Sequence, residues 1–142
     1  MSEKVLLVDD EVDFLDTLSE RMRTRGMEVA TSSTGVEALQ KVEKEAYDVI
    51  ILDLMMPGVD GLEALKILKA KRPELQVILL TGHATVEKGI EAMKLGAMDF
   101  LEKPADLNLL TEKIKKAQAK KMLIVEKQNE DKIKKILEEK GW

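Results

Sequence analysis

Short apolar runs alternate with longer amphipathic segments along this chain, and that alternation limits the fold more than any other feature of the sequence. Three runs are continuous apolar tetrads, at residues 5–8, 49–52 and 77–80. Uninterrupted apolar residues are typical of strands that are covered on both faces. Two weaker runs of the same length, at residues 27–30 and 98–101, predict less central strands, so about five strands are expected.

The segments between these runs carry apolar residues at helical spacing. The predicted inward faces are Leu15, Leu18 and Met22 in the first helix, Ala38, Leu39 and Val42 in the second, Leu62, Leu65 and Leu68 in the third, and Val86, Ile90 and Met93 in the fourth. Gly26 and Gly96 stand where helices should end, and Pro73 follows the third helix. Repeated strand and helix predict parallel pairing with right-handed crossovers, and therefore a three-layer α/β sandwich around a five-stranded parallel sheet.

The composition excludes several kinds of functional site. The 142 residues include no cysteine and a single histidine, His83, which rules out disulfides, thiolate metal sites and histidine-rich metal centres. No apolar run approaches the length of a membrane span, and the first is too short for a signal-peptide core, so a cytoplasmic location is expected. The net charge of −4 argues against direct contact with nucleic acid. Any bound metal must be held by oxygen atoms.

Polar side chains stand at the ends of the predicted strands. They are Asp9 and Asp10 after the first strand, Asp53 after the third, Thr81 after the fourth, and Glu102, Lys103 and Pro104 after the fifth. Functional groups of parallel sheets collect beyond the carboxyl ends of the strands. We therefore expect all of these residues at one edge of the sheet.

The acids at this edge need positive charge nearby. Two like charges 4 Å apart repel by about 1 kcal/mol in water and by about 4 kcal/mol at an effective dielectric constant of 20. Lys103 supplies one positive charge against Asp9, Asp10 and Asp53, and a divalent cation would cancel the two negative charges that remain. Oxygen ligands completed by water favour Mg²⁺ over zinc or copper. Because a carboxylate can accept a phosphoryl group, Asp53 is a candidate phosphoacceptor.

Four motifs carry a resemblance to a known family. In chain order they read VDD, ILDLMMPGVDG, LLTGHA and FLEKP, and over about residues 3–118 their order and spacing closely resemble the receiver domain of two-component response regulators. The stretch TGHATVEKGIEAMKLGAMDFLEKP is similar to receivers of the NtrC type, which are attached to ATPase-type transcription activators. The resemblance implies the CheY-like, flavodoxin-like fold with strand order 2-1-3-4-5.

The resemblance also implies a role for each matching residue of the acidic edge. Asp53 matches the phosphorylated aspartate, which also contacts the metal, and Asp10 matches the principal Mg²⁺ ligand beside it. Asp9 resembles the partner acid that usually acts on the metal through water. The main-chain carbonyl of Met55 would complete the protein ligands. Lys103 matches the lysine that pairs with the phosphoryl group.

Further matches concern the switch between the two states of a receiver. Thr81 matches the hydroxyl that moves to meet the phosphoryl oxygens, and Phe100 matches the aromatic that turns inward with it. Phe100 lacks the hydroxyl of the tyrosine often found there, so contacts through that hydroxyl are excluded. The peptide bond between Lys103 and Pro104 is commonly cis in the family. Met55 and His83 fall where the family varies, and we expect them to tune the lifetime of the acyl phosphate.

The function implied by the resemblance is a Mg²⁺-dependent signalling switch that catalyses its own phosphorylation and dephosphorylation, and not a turnover enzyme. A sensor histidine kinase or a phosphotransfer protein would donate the phosphoryl group to Asp53. The last two helices and the strand between them would then change their surface for a downstream protein, or pair with a second copy of the chain. Neither nucleic acid nor a membrane is an expected partner.

Other functions fit parts of the sequence. A haloacid-dehalogenase-like phosphatase also forms an aspartyl phosphate, but it needs a second Asp where this chain has Met55. A flavin-binding module shares the topology, but aromatic residues make up only 3% of the chain. An unphosphorylated interaction domain of receiver type and a receiver fragment of a transcriptional activator are the alternatives that stay open. A free-standing receiver is favoured, because Gly141 and Trp142 do not resemble the start of another domain.

The C-terminal part of the chain is longer than a receiver requires. We predict a receiver domain over residues 1–120 and a helical extension over residues 121–142. The last receiver helix would begin near Asp106 and bury Leu107, Leu110 and Ile114. No glycine or proline interrupts residues 120–140, so that helix could continue well past the domain. Asn129 interrupts the apolar stripe of the extension, and the pattern is compatible both with a docking or dimerisation helix and with a solvated, lysine-rich one.

Overall fold

Strand and helix alternate along nearly the whole chain in the computed structural model, which describes residues 2–56, 59–82 and 86–141. The elements are β1 (Lys4–Val8), α1 (Val12–Thr24), β2 (Glu28–Ser32), α2 (Gly35–Lys44), β3 (Val49–Leu52), β4 (Met55–Met56), β5 (Val59–Asp60), α3 (Gly61–Lys71), β6 (Gln76–Thr81), α4 (Val86–Lys94), β7 (Asp99–Glu102) and α5 (Leu107–Glu139). Each of the five predicted strands is present, and no end differs by more than two residues from the predicted one.

Five of the strands form one parallel sheet. Its order is β2-β1-β3-β6-β7, which is the order 2-1-3-4-5 once the short strands β4 and β5 are set aside. β4 and β5 pair with each other in an antiparallel arrangement between β3 and α3. Strands of two residues are too short to leave a period in the sequence, and they were not predicted. The predicted sandwich with a flavodoxin-like sheet is confirmed.

The sheet is covered on both faces, as the apolar tetrads predict. Every residue of β3 and of β6 is buried. The core divides into two clusters, one containing residues of α2, α3 and α4 and the other containing residues of α1 and α5. Helices cover both faces of the sheet. The carboxyl ends of its parallel strands lie together along one side, and this side is the edge at which the polar residues are predicted.

The predicted helix ends agree with the structure. Gly26 follows α1 with φ 88°, and Gly96 follows α4 with φ 101°. These angles lie in the left-handed region, which glycine enters without a steric penalty and which ends many helices. The two glycines therefore explain why α1 and α4 stop where they do.

The prediction for the inward face of α4 is wrong. Val86, Ile90 and Met93 are exposed, with 79% of Val86 accessible. Among the described residues of this helix only Ala92 is buried. The reason is that α4 approaches the edge of the sheet through small residues, and Gly89 leaves space beside the ring of Phe100. The apolar stripe of α4 consequently faces outward.

α5 continues far beyond the sheet. Asp106 caps its first turn by accepting a hydrogen bond of 2.8 Å from the backbone amide of Asn108. Its buried residues are Leu110, Ile114 and Ala117, while Leu107 is half-buried. The helix has 33 residues and is therefore about 50 Å long. Within the described ranges, no helix combines the length and the apolar character needed to cross a membrane.

Candidate functional site

The ends of three neighbouring strands bring polar residues to one edge of the sheet. Asp9 follows β1, Asp53 follows β3 and Thr81 ends β6, and all three residues are buried. The backbone amide of Asp53 donates a hydrogen bond of 3.0 Å to the carbonyl of Val8. The amide of Lys103 donates one of 2.8 Å to the carbonyl of Thr81. The sheet ladder thus fixes the backbone from which each functional side chain leaves.

Three carboxylates converge at this edge, as predicted. Asp9, Asp10 and Asp53 each place an oxygen within 4.8 Å of the other two. Asp9 and Asp53 are buried, whereas Asp10 is exposed and faces solvent. A compact set of carboxylate oxygens with one member open to water is the chemistry that Mg²⁺ prefers. The donor set therefore fits the metal that receiver domains generally bind in such an acidic pocket.

Backbone hydrogen bonds orient the two buried acids. Oδ1 of Asp9 accepts a bond of 2.9 Å from the amide of Glu11, at the start of α1. Oδ1 of Asp53 accepts a bond of 3.0 Å from the amide of Met55, at the start of β4. In both residues the second oxygen, Oδ2, is directed toward Lys103.

Lys103 is the positive centre of the site. Its Nζ lies 2.6 Å from Oδ2 of Asp9, 3.4 Å from Oδ2 of Asp53 and 3.5 Å from Oε1 of Glu11. Only 12% of the Lys103 side chain is exposed, so its charge interacts with the buried Asp9 and Asp53 with little screening by water, whereas the Glu11 side chain is 67% exposed. The peptide bond between Lys103 and Pro104 is cis, as the resemblance implies.

The electrostatic environment acts differently on the acid and on the base. Burial raises the pKa of the Asp9 carboxyl, and its hydrogen bond with Lys103 offsets only part of that effect. The negative charge of Asp53 raises the pKa of Asp9 further. For Lys103, burial lowers the pKa, but the hydrogen bond with Asp9 and the surrounding carboxylate charges outweigh it and raise the pKa overall. Lys103 is thus held as an ammonium ion.

The residues expected to act as a switch lie beside this centre. Thr81 is fully buried at the end of β6, opposite Glu102 in the register with β7. Phe100 lies in β7 opposite Leu79 and is half-buried. Its ring lines a surface groove of about 830 Å³ whose other wall is the outward face of α4. The groove thus connects Phe100 with the exposed stripe of α4.

Of the two positions expected to tune the acyl phosphate, Met55 is among the described residues. Met55 is 51% exposed, and its Sδ lies 3.7 Å from Nζ of Lys88. Its side chain therefore flanks the site on the solvent side. His83 lies outside the described residues, as do Pro57 and Gly58 of the quoted motif.

Sequence reasoning missed two residues that contact Lys103. Glu11 contributes a third carboxylate to the ammonium. The ring of Phe14 lies beneath it, with 4.4 Å between Nζ and the ring centroid. Both residues stand within four positions of Asp10, at the start of α1, where an acid and an aromatic are ordinary helix residues. Their proximity to Asp10 was the only signal, because Lys103 reaches them from a distant part of the chain.

Comparison with known proteins gives consistent matches. Residues 5–115 match the family model of the response regulator receiver domain. The transcriptional regulatory protein ZraR of Escherichia coli (strain K12) is 36% identical over 115 residues, which are 81% of this chain and 26% of ZraR. Sporulation initiation phosphotransferase F of Bacillus subtilis (strain 168) is 34% identical over 116 residues, which are 82% of this chain and 94% of that protein.

A solved structure supports the same assignment. The crystal structure of a response regulator receiver domain protein from Clostridium thermocellum superposes with a TM-score of 0.81 at 35% identity, over 86% of this chain and 98% of that one. This chain spans about a quarter of the length of ZraR but nearly all of phosphotransferase F. The family match, the sheet order and the acidic edge agree, and the chain belongs to the response regulator receiver domains, the CheY-like signalling switches of two-component systems.

Proposed function

We propose that this receiver accepts a phosphoryl group on Asp53 from a histidine kinase or a phosphotransfer protein. The observation that carries the proposal is the arrangement around Lys103, whose Nζ lies between Oδ2 of Asp53 and Oδ2 of Asp9 at 3.4 and 2.6 Å. A buried carboxylate beside a fixed ammonium is suited to phosphoryl transfer, where catalysis depends on positioning and charge neutralisation.

In the proposed reaction a carboxylate oxygen of Asp53 attacks phosphorus. The bond from phosphorus to the donor breaks, and its electron pair leaves with the histidine nitrogen of the kinase or with the carboxylate of an acyl phosphate. Lys103 neutralises the charge that develops on the phosphoryl oxygens, and the hydroxyl of Thr81 is assigned to meet one of them. When bound by Asp9, Asp10, Asp53 and the Met55 carbonyl, Mg²⁺ would supply further positive charge there.

The output of the switch is assigned to the surface formed by α4, β7 and α5. A dianionic group on Asp53 favours a rearranged packing in which Thr81 and Phe100 have moved toward the site. The outward residues of α4 and the groove beside Phe100 form an apolar surface on which a downstream protein or a second copy of the chain can dock. A cytoplasmic location is part of the same proposal.

The test is phosphoryl uptake from acetyl phosphate in the presence of Mg²⁺, followed by intact-protein mass spectrometry. We expect the wild type to gain one phosphoryl group and Asp53→Asn to gain none, because the amide is not a competent nucleophile. Asp16→Asn is the matched control, because Asp16 is an exposed acid of α1 away from the site. Removal of Mg²⁺ with EDTA should stop uptake in both the wild type and the control.

Uptake by Asp53→Asn at the wild-type level would overturn the assignment of Asp53. A wild type that stays unmodified with several donors would instead support the unphosphorylated interaction domain. Circular dichroism of each variant excludes unfolding as the cause of a lost reaction.

A further inference from the structure

The Lys103 ammonium contacts an aromatic ring as well as carboxylates. Phe14 stands in the first turn of α1, and the centroid of its ring lies 4.4 Å from Nζ of Lys103. That distance is within the range of about 6 Å over which a cation is attracted to the face of an aromatic ring. Phe14 is half-buried and packs against the core cluster formed by α1, α5 and one face of the sheet. Its ring is therefore held in place by packing on one side.

The oxygen partners of the ammonium compete with one another. Asp9 is nearest to Nζ at 2.6 Å, while Asp53 is more distant at 3.4 Å. In the absence of another constraint, the ammonium is drawn toward Asp9 and away from the residue that receives the phosphoryl group. The attraction between an ammonium and the face of a ring is electrostatic and requires no hydrogen-bond acceptor, so the ring does not replace any oxygen partner of the lysine. The ring can hold the ammonium while its oxygen partners change.

A pocket beside Phe14 indicates how water could reach Lys103 if the ring were removed. A pocket of about 180 Å³ lies between α1 and the segment after β7, lined by Phe14 and by Leu18, Leu80, Pro104 and Ala105 among others. Phe14 thus lines this pocket and also contacts Nζ of Lys103. A smaller side chain at this position would let water reach the ammonium and weaken its attraction to the neighbouring charges.

We propose that Phe14 is a positioning residue that holds the Lys103 ammonium beside Asp53 for the incoming phosphoryl group. The inference rests on the proposed function, because it assigns Phe14 to the phosphoryl transfer at Asp53. Phe14 has no oxygen atom in its side chain to offer a metal, and in this proposal it acts only through Lys103.

The test compares Phe14→Leu, which removes the ring, with Phe14→Tyr, which keeps it. Acetyl phosphate is the donor, because a small molecule, unlike a kinase or a phosphotransfer protein, does not need α1 as a docking surface. We expect Phe14→Leu to lower kcat/KM for phosphoryl uptake about two- to fivefold, the scale of an exposed to partly buried cation–ring contact. Phe14→Tyr should restore the wild-type value. Leu18→Met is the matched control one turn later on α1, in the same cluster and pocket but without contact to Lys103.

A second measurement reports on Lys103 itself. The NMR signals of the Lys103 ε-methylene protons should be shifted upfield by the ring in the wild type and in Phe14→Tyr. The shift should vanish in Phe14→Leu and persist in Leu18→Met, which checks that the ring lies over the ammonium. Rescue of phosphoryl uptake by Phe14→Tyr is the readout that a merely structural role of Phe14 would not predict. If Phe14→Leu does not fold, Phe14→Met with the same two readouts takes its place.

The outcomes separate the two proposals. Wild-type uptake by folded Phe14→Leu, or an unchanged Lys103 signal in that variant, overturns the role of Phe14 and leaves the proposed function intact. Loss of uptake in Phe14→Tyr as severe as in Phe14→Leu also overturns it, because the ring is then not what matters. If the wild type accepts no phosphoryl group, the proposed function fails, and the positioning role fails with it.

Discussion

The Lys103 ammonium faces three carboxylates at the functional edge, those of Asp9, Asp53 and Glu11. Asp10 adds a fourth negative charge within 4.8 Å of Asp9 and Asp53. The excess of negative charge is costly, because burial removes the water that would otherwise stabilise it. The raised pKa of Asp9 expresses that cost, since its ionised form is less favourable in the folded protein than in the unfolded chain. In the proposed function, this cost in folding stability accompanies a site that would bind a cation and accept a phosphoryl group.

Neutralising Asp9 should therefore stabilise the metal-free protein. We expect Asp9→Asn to raise the free energy of unfolding at neutral pH by about 1 kcal/mol, the scale of one like-charge pair at 4 Å in water. The amide oxygen can still accept the hydrogen bond from Glu11, so the start of α1 is preserved. Urea denaturation in EDTA measures the difference, and Asp16→Asn, which removes an exposed charge, should stay within about 0.5 kcal/mol of the wild type.

The pH dependence of this difference follows from the sign of the shift. The folded protein binds the Asp9 proton more tightly than the unfolded chain, whose carboxyl has the ordinary pKa of 3.8. Wild-type stability from this group is therefore present below pH 3.8 and is lost as the pH rises through the pKa of the folded state. The gain from Asp9→Asn should be largest at neutral pH and vanish in acid. A gain that is constant with pH, or a loss at neutral pH, would contradict this account.

The strands and helices of the fold could be predicted from the sequence better than the face that each helix packs against the sheet. Apolar tetrads identified the buried strands β1, β3 and β6, because a strand covered on both faces needs apolar residues at every position. A stripe at helical spacing shows that a helix has an apolar face but not which neighbour covers it. On α4 that stripe is exposed, and small residues make the contact with the sheet instead. The face of a helix that packs through Gly and Ala leaves little trace in a hydrophobic pattern.

Contacts made by residues that do not follow a predicted strand could not be predicted from the sequence. The three acids and Lys103 could be placed at one edge because each follows a predicted strand of a parallel sheet. Glu11 and Phe14 follow no strand, and their contact with Lys103 depends on how α1 lies beside the segment after β7. That placement is decided by side-chain packing in three dimensions, which no local period records.

Two glycines should respond in opposite directions to substitution by alanine. A Cβ at Gly61, where α3 begins, would lie 2.6 Å from the backbone carbonyl oxygen of Leu54 in the turn after Asp53. A Cβ at Gly89 in α4 would meet only the Phe100 ring, at an ordinary 3.7 Å. We expect Gly61→Ala to lower the free energy of unfolding by about 1 to 3 kcal/mol, because rigid backbone must move.

Gly89→Ala serves as the matched variant. It should raise the free energy of unfolding by about 0.5 to 1 kcal/mol, because alanine loses less backbone entropy in a helix. Thermal denaturation of both variants under the same conditions measures the two effects. Equal stability of Gly61→Ala and the wild type would mean that the turn after Asp53 is not held as closely against α3 as the structure describes.

α5 packs against the receiver body over only part of its length. Its last buried residue is Ala117, and the described residues beyond it are half-buried or exposed. Asp48, just before β3, accepts hydrogen bonds from Gln118 at 3.2 Å and from Lys121 at 3.3 Å. Ile124 and Val125 are half-buried, and every residue from 126 to 141 is exposed. Contact with the body therefore fades between residues 121 and 126.

These contacts allow the predicted domain boundary at residue 120 to be tested with two truncated chains. A chain ending at Glu126 keeps the Lys121 ion pair and the half-buried Ile124 and Val125, so its free energy of unfolding should stay within about 0.5 kcal/mol of the full chain. A chain ending at Lys120 loses all three and should be less stable by about 1 to 2 kcal/mol. Both should still accept a phosphoryl group on Asp53, because the site lies at the opposite end of α5.

Thermal denaturation over a hundredfold range of protein concentration completes the comparison. If the extension pairs with a second copy, the midpoint of the full chain rises with concentration and that of the truncated chains does not. If the extension is a solvated helix, no midpoint depends on concentration. A chain ending at Glu126 that fails to fold would contradict a receiver body that is complete without the rest of α5. Since α5 leaves the body at the end away from Asp53, pairing there would not obstruct a phosphoryl donor at the acidic edge.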